Sequence, residues 1–384
     1  MDVRTSRRAL LTGAAGAGLV ACSSSDHSSS TPAPSAVTSS PATPGPATPT
    51  VATSASGTPT PLDPQVAGEV VTGLAVPWGI AFLPDQTALV GERDTGRLLR
   101  VTAGHAGHVG TFDVFSRLDE GGETGLLGLA LHPEFETNRL LYAYVSTAED
   151  NRVVRTTYDG GLGDIEPLLT GIATSTHHNG GDLLFGVDGL LYVSTGDAED
   201  ESTPQDTSSL NGKILRLTPD GAAAPGNPFD NEVWTYGHRN VEGLCFDEAG
   251  LIWAAEFGDK GADELNRIRK GHDYGWPDVE GSDGKGGYTD PLAQWPVDQC
   301  SPSGVAVTGG IAWLGALQGE CVWSVVLYGP DPAPGTTQQY FTGDYGRIRR
   351  VRLAPDGSLW VTTSNRDGRA DPRPGDDRIL RVTL

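Results

Sequence analysis

The chain has 384 residues, 52 of them glycine and 27 proline, and a formal net charge of -22 at pH 7. That acidity repels phosphate backbones and excludes nucleic acid as a partner, whereas neutral ligands such as sugars stay open. The glycine and proline content argues against a long-helix protein, and the length suffices for two domains or one large all-β domain.

At the N-terminus, Ser6-Arg7-Arg8-Ala9-Leu10-Leu11 sets twin arginines ahead of a short apolar run, Ala9 to Ala21. The run is too short and too rich in Gly and Ala to span a bilayer, so residues 1–21 read as a Tat-type export signal. Leu19-Val20-Ala21-Cys22 is similar to a bacterial lipobox, which implies cleavage before Cys22 and lipidation of its thiol. The expected location is the outer face of the cytoplasmic membrane or the cell envelope, with the lipid as the only membrane contact. Residues 22–61 are nearly all Ser, Thr, Pro, Ala and Gly and cannot bury enough apolar surface to fold. A flexible coil of about 40 residues reaches roughly 35 Å, so this segment reads as a tether.

From residue 62 to 384 one pattern recurs: a turn, a short apolar strand, a polar loop, then a second strand ending near Arg-Val. The first halves centre on Leu89, Tyr142, Tyr192, Trp253, Trp313 and Trp360. The second halves are 97–101, 152–155, 213–217, 264–268, 321–325 and 378–382. Intervals of about 50 to 60 residues suit four-stranded blades with some long loops, and no segment sustains a 3.6-residue period. The expectation is an all-β, six-bladed β-propeller of four-stranded antiparallel blades. Radial closure gathers loops from distant parts of the sequence around one channel mouth.

Three loops carry chemistry. Before the third repeat, Thr176-His177-His178-Asn179-Gly180-Gly181 presents imidazoles on a glycine-flexed turn. Histidine is the side chain whose ordinary pKa suits proton abstraction near neutrality, and it is as often a structural hydrogen bonder. Arg239-Asn240 sets a guanidinium fork beside a carboxamide, a pair suited to a flat ligand edged with carbonyls and carboxylates. The loop 256–264 is rich in glycine and carboxylates, so backbone carbonyls and Glu264 can face a hard cation such as calcium. Three cysteines lie beyond Cys22. Cys245, between Leu244 and Phe246, reads as a small buried hydrophobe, and Cys300 with Cys321 is the candidate disulfide.

In this order, and followed by Tyr274-Gly275-Trp276-Pro277, these loops resemble the soluble quinoprotein glucose/sorbosone dehydrogenases, the aldose sugar dehydrogenases. The resemblance runs from Ala75 to Val382. It implies the cofactors pyrroloquinoline quinone (PQQ) and calcium, and oxidation of an aldose at its C1 hydroxyl to the lactone with hydride transfer to the quinone. His178, rather than His177, matches the catalytic base, and Arg239 matches the residue that stabilises charge on the quinone. Asn240 matches a quinone contact, and Arg347 and Arg349 match the late Arg-x-Arg pair that reads the quinone carboxylates. Gly258 and Asp259 match the cofactor's calcium ligands, and Glu264 and Tyr274 a second calcium set. Tyr288 offers an aromatic wall for cofactor or sugar, while Trp276 is expected to pack between blades.

Three residues depart from the family pattern. Glu123 stands where a Gln touches the quinone, Gln318 where a Lys does, and Arg350 where an Asp follows Arg-x-Arg. At an anion site Glu123 adds a negative charge and Gln318 removes a positive one, and Arg350 returns some of the balance. These departures motivate a second reading, a propeller lipoprotein that has lost PQQ and serves as a binding or envelope-organising module. A third is a calcium-dependent lactonase-like hydrolase, since six-bladed propellers host those as well. The sugar and the external electron acceptor are not legible in the sequence.

Overall fold

The computed structural model describes residues 63–282, 284, 286–327 and 337–384, so the export signal, Cys22 and the tether lie outside the described residues. The chain forms a six-bladed β-propeller: twenty-four strands among the described residues build six antiparallel sheets of four. Among the described residues helix is confined to Phe135–Asn138 and a 3-10 turn at Leu118–Glu120. No helix among the described residues is long and apolar enough to cross a membrane.

The repeat halves legible in the sequence are the second and third strands of each blade, such as Leu191–Ser194 and Lys213–Leu217 in the third. Both are buried on two faces and therefore densely apolar. The fourth strands, such as Glu166–Ile172, are largely exposed edges with weak apolar patterning. Closure joins the two ends of the fold. Strand Gln65–Thr72 pairs antiparallel with the last strand, Arg378–Thr383, and completes the sixth blade. Leu74 N–H donates to the Asp377 carbonyl (2.8 Å), and Val76 N–H donates to the Asp377 carboxylate (3.1 Å).

Apolar side chains from adjacent sheets interdigitate between blades, with Trp78, Trp253 and Trp313 wholly buried. Cys245, Cys300 and Cys321 share one such cluster with Trp253, Trp295 and Trp323. The expected disulfide is corrected here: Cys300 and Cys321 are free thiols. Burial raises the Cys321 thiol to about 12 and lifts Cys300 well above its ordinary value, so both are held in the neutral form. Like Cys245, they serve as small hydrophobes.

The innermost strands are Pro77–Phe82, Leu126–Leu131, Leu183–Phe185, Asn240–Phe246, Pro302–Thr308 and Ile348–Leu353. Five of them carry a register break near their first residues, a bulge that re-aims side chains. At the bulge four blades place Gly79, Gly128, Gly243 and Gly304. A Cβ there would come within 2.5, 2.5, 2.1 and 2.6 Å of the next blade's backbone, so only glycine lets the blades meet. The third and sixth blades, opposite one another, place Asp182 and Arg350 at this level. Arg350 Nη2 meets Asp182 Oδ1 at 2.5 Å with both side chains buried, so an ion pair crosses the channel. Asp182 also accepts Leu244 N–H (2.7 Å), and the Arg350 guanidinium lies 5.2 Å from the Trp78 ring centre. Arg350 is therefore committed to Asp182 and returns no charge to a cofactor site, contrary to the sequence expectation.

Candidate active site

The connections between blades and the loops between second and third strands lie on one face, and the predicted residues occupy both sets. His178 sits in the connection into the third blade with φ 57°, a left-handed conformation uncommon for a non-glycine residue. The turn is held open by Gly196, whose absent Cβ would fall 2.0 Å from the His178 carbonyl oxygen. Ala198 N–H donates to that carbonyl (3.1 Å), and Asn240 Oδ1 accepts Gly180 N–H (2.9 Å). The His178 turn is thus pinned from two blades.

Its imidazole Nδ1 lies 2.8 Å from Asp197 Oδ1, and Asp197 is almost wholly buried. Asp197 Oδ2 accepts Trp276 Nε1–H at 2.8 Å, and the Arg239 guanidinium lies 5.3 Å from the Trp276 ring centre. One carboxylate therefore orients both the candidate base and the aromatic shelf under the candidate quinone-facing arginine. Trp276 was expected between blades; its indole joins the site because Asp197 reaches it. His177 turns to Glu199 instead, at 3.0 Å, and is the more exposed of the two.

Glu123 links this group to the late arginines. Its Oε2 accepts His178 N–H (3.1 Å), and its Oε1 pairs with Arg369 Nη1 (3.1 Å). Burial works against its charge, but Arg369 and Arg349 outweigh burial and hold Glu123 below the usual carboxylate range. The negative charge that departs from the family pattern is thereby neutralised by Arg369. Arg347 donates to Asp367 (3.0 Å), and Arg349 bridges Glu242 (2.8 Å) and Asp367 (3.4 Å), all four side chains buried. Buried charges survive only in such paired networks.

Two atoms report what the cluster would accept. Arg239 Nε and Asn240 Nδ2 are buried N–H donors without a protein partner. Buried donors in native structures are nearly always paired, so a planar ligand edged with carbonyls and carboxylates fits them, as PQQ is.

For calcium the donors lie in the loop 256–264. Glu256 and Glu264 share Asn266 Nδ2 (3.0 and 2.8 Å), and Asn266 Oδ1 is buried without a partner. Burial and the neighbouring Glu256 push Glu264 up to about 8, an arrangement that a hard cation with oxygen ligands would relieve. Gly258 lines the same crevice, while Asp259 pairs with Lys260 (2.6 Å) and Arg239 (3.3 Å). Among the described residues no three His, Cys, Asp or Glu side chains converge in ligating geometry, so backbone and amide oxygens would complete the set. Tyr274 lines the same crevice, but its side chain is engaged elsewhere. Its hydroxyl donates to the Arg267 carbonyl (2.6 Å) and accepts Arg269 N–H (2.9 Å), and its ring stacks on His238.

Tyr288 donates to Asp278 (3.0 Å) and lines a separate recess with Arg267, Arg269 and His272, so the aromatic wall beside Arg239 is Trp276 instead. Gln318 is exposed; its neighbour Leu317 offers a carbonyl to Arg347 Nη1 (3.4 Å). Sequence reasoning missed Asp197, Arg369, Asp367 and Glu242. Asp197 begins the longest loop between a second and a third strand, a place where a site residue is favoured. The other three carry no motif.

Residues 74–380 match the Glucose / Sorbosone dehydrogenase family. A PQQ-bound aldose sugar dehydrogenase from Streptomyces coelicolor superimposes with a TM-score of 0.80 at 45% identity, covering 83% of this chain and 97% of that one. The aldose sugar dehydrogenase YliI of Escherichia coli is 29% identical over 76% of this chain and 88% of its own length. Quinoprotein glucose dehydrogenase B of Acinetobacter calcoaceticus is 30% identical over 63% of this chain and 59% of its own. The chain belongs to the glucose/sorbosone dehydrogenase family, a sugar oxidoreductase by kinship with these aldose sugar dehydrogenases.

Proposed function

We propose that the protein is a PQQ- and calcium-dependent aldose dehydrogenase that oxidises a C1 hydroxyl to the lactone. The observation that carries this reading is the Asp197–His178 pair set beside Arg239 and Asn240, whose buried N–H donors lack protein partners. Arg239, Asn240, Arg347 and Arg349 would hold PQQ, with Arg369 offsetting Glu123. The Gly258 and Asp259 backbone together with Glu264, Glu256 and Asn266 Oδ1 are the oxygen donors for calcium. When bound, PQQ supplies the two-electron acceptor for the C1 hydride, and calcium supplies fixed positive charge beside it.

The chain's own part is proton chemistry and orientation. Asp197 accepts His178 Nδ1–H and leaves the Nε2 lone pair free to take the sugar's C1 hydroxyl proton. The same carboxylate stabilises the imidazolium that forms, and the Arg239 guanidinium faces the charge that develops opposite it. Asp367 and Glu242 hold the late arginines in place, which keeps the anion site preorganised. With Gln318 in place of a lysine, Arg347 and Arg349 are left to read the ligand's carboxylates.

The test is reconstitution of purified protein with PQQ and calcium. Dye-linked oxidation across an aldose panel is expected, and His178→Ala should abolish turnover while PQQ still binds. Silence across the panel would refute the reading, and absence of PQQ binding at high micromolar ligand would favour a scaffold that has lost its quinone. The lactonase-like alternative expects acidic ligands converging at the channel centre. That centre instead holds the Asp182–Arg350 and Arg349–Glu242 ion pairs.

The N-terminal sequence supports export and attachment at Cys22, outside the cytoplasmic membrane, with a neutral sugar reaching the site from solution. Palmitate labelling of wild-type cells and its loss in Cys22→Ala checks this placement.

A further inference from the structure

The innermost strands set side chains in levels along the channel. Two residues beyond the glycine level, toward the mouth opposite the active site, stand Ala81, Ala130, Leu184, Cys245, Ala306 and Arg352. Small residues at four of these six places, widened by a rim that includes Phe82, Phe185 and Phe246, open a cup of about 830 Å³. That volume lies within the range of small-molecule sites, about 300–1,000 Å³.

Arg352 is the one charged residue among those lining the cup. Among the described residues no hydrogen bond or ion pair to protein engages its guanidinium. Its charged neighbours are Arg350 and Asp182, which already pair with each other and leave one net positive charge at the cup's depth. Burial and Arg350 hold Arg352 below the ordinary guanidinium value, as expected of a cation without a paired anion, though an arginine stays charged. The Asp182–Arg350 pair lies between this cup and the candidate active-site face, and the cup's lining shares no residue with that site.

We propose that this mouth binds a small amphiphilic monocarboxylate, such as a medium-chain fatty acid. The carboxylate would take the Arg352 fork in a bidentate pair, and the chain would lie on the alanine and phenylalanine lining. A neutral apolar ligand would leave the cation unpaired, and a dianion would bring a charge with no partner. A single carboxylate with an apolar body matches both features.

The test is isothermal titration of the full chain with decanoate below its micellar concentration, beside decyltrimethylammonium as the cationic control. Decanoate is expected to bind and the cation to be excluded. Arg352→Gln should weaken decanoate by about tenfold or more, and Ala306→Trp should block it by filling the cup. Neither residue belongs to the oxidation site, so dye-linked activity serves as the folding control. No decanoate binding to wild type, equal binding to Arg352→Gln, or equal binding of the two amphiphiles overturns the proposal. Self-association that Ala306→Trp abolishes, without decanoate binding, would assign the cup to a second copy of the chain and also overturn it. Should Arg352→Gln fail to fold, the comparison of the two amphiphiles on wild type decides.

Discussion

Asp197→Asn is the sharpest probe of the site, because Asp197 accepts hydrogen bonds on both oxygens. Oδ1 faces His178 Nδ1 and Glu199 N–H, both at 2.8 Å, and Oδ2 faces Trp276 Nε1–H at 2.8 Å. The indole and the Glu199 N–H can only donate, so either orientation of the asparagine sets its amide NH2 against one of them; with its oxygen on Trp276, the NH2 faces His178 and the Glu199 N–H. His178 Nδ1 then becomes an acceptor, the ring proton moves to Nε2, and the atom meant to take the sugar's proton already carries one. In the opposite orientation two donors face each other at Trp276. A charge-assisted hydrogen bond contributes about 1.5–3 kcal/mol, which alone is worth about 10- to 150-fold in rate. The wrong tautomer adds to that; the equivalent change in a Ser-His-Asp triad costs about 10⁴ in kcat. The expected loss in kcat is therefore about 10² to 10⁴. With the oxygen on Trp276, the indole and the Arg239 above it keep their support and PQQ affinity should hold. Stopped-flow dye reduction with saturating aldose measures kcat, and PQQ fluorescence titration measures the affinity. Wild-type kcat in Asp197→Asn would refute the assignment of His178 as a base oriented through Nδ1.

Three further outcomes follow from the same geometry. Arg350→Met strands Asp182 as an uncompensated buried charge and should cost about 3–5 kcal/mol in urea unfolding. Adding Asp182→Asn should recover most of that, and a single-variant cost below about 1 kcal/mol, typical of exposed pairs, would contradict the channel-crossing pair. Arg369→Met leaves Glu123 unpaired beside the anion site and should weaken PQQ about tenfold or more. The companion change Glu123→Gln should restore it, whereas unchanged affinity in Arg369→Met would remove Arg369 from the site. Asp377, at the ring closure, is raised by burial to about 6 from an ordinary 3.8. Folded protein keeps that proton between these values while unfolded chain loses it, so this group's stabilisation is full below 3.8 and fades as pH rises through 6. The loss is on the order of 3 kcal/mol. Urea midpoints between pH 4 and 7 should fall less in Asp377→Asn than in wild type; equal slopes would contradict the assignment.

The fold was legible because propeller blades repeat, and the doubly buried second and third strands leave dense apolar runs six times over. The closing strand Gln65–Thr72 was not, because five of its eight residues are exposed and its partner lies over 300 residues away. Much of the candidate site was legible through motifs: His178, Arg239, Asn240, Arg347 and Arg349 all carry patterned neighbours. What stayed hidden were the partners. Asp197, Arg369, Asp367 and Glu242 are ordinary acidic or basic residues until the ring sets them against a base or a guanidinium. The same reason explains Tyr288 and Trp276: two aromatics twelve residues apart in one long connection, distinguishable only once Asp197 is seen to reach the indole.

Arg350 illustrates how a departure from a family pattern changes meaning in three dimensions. Taken along the chain it follows Arg347 and Arg349 and looks like a third cation for an anionic ligand. The strand's alternation and bulge send it one level deeper, to the place where four blades can afford only glycine. Only one residue at that level carries the opposite charge, Asp182, half the ring away, so the two are constrained as a pair and not as members of their local motifs. The pair also gives the channel its polarity of function. A buried ion pair lies between the two mouths, so the candidate active site and the cup at the opposite mouth are set apart along the channel.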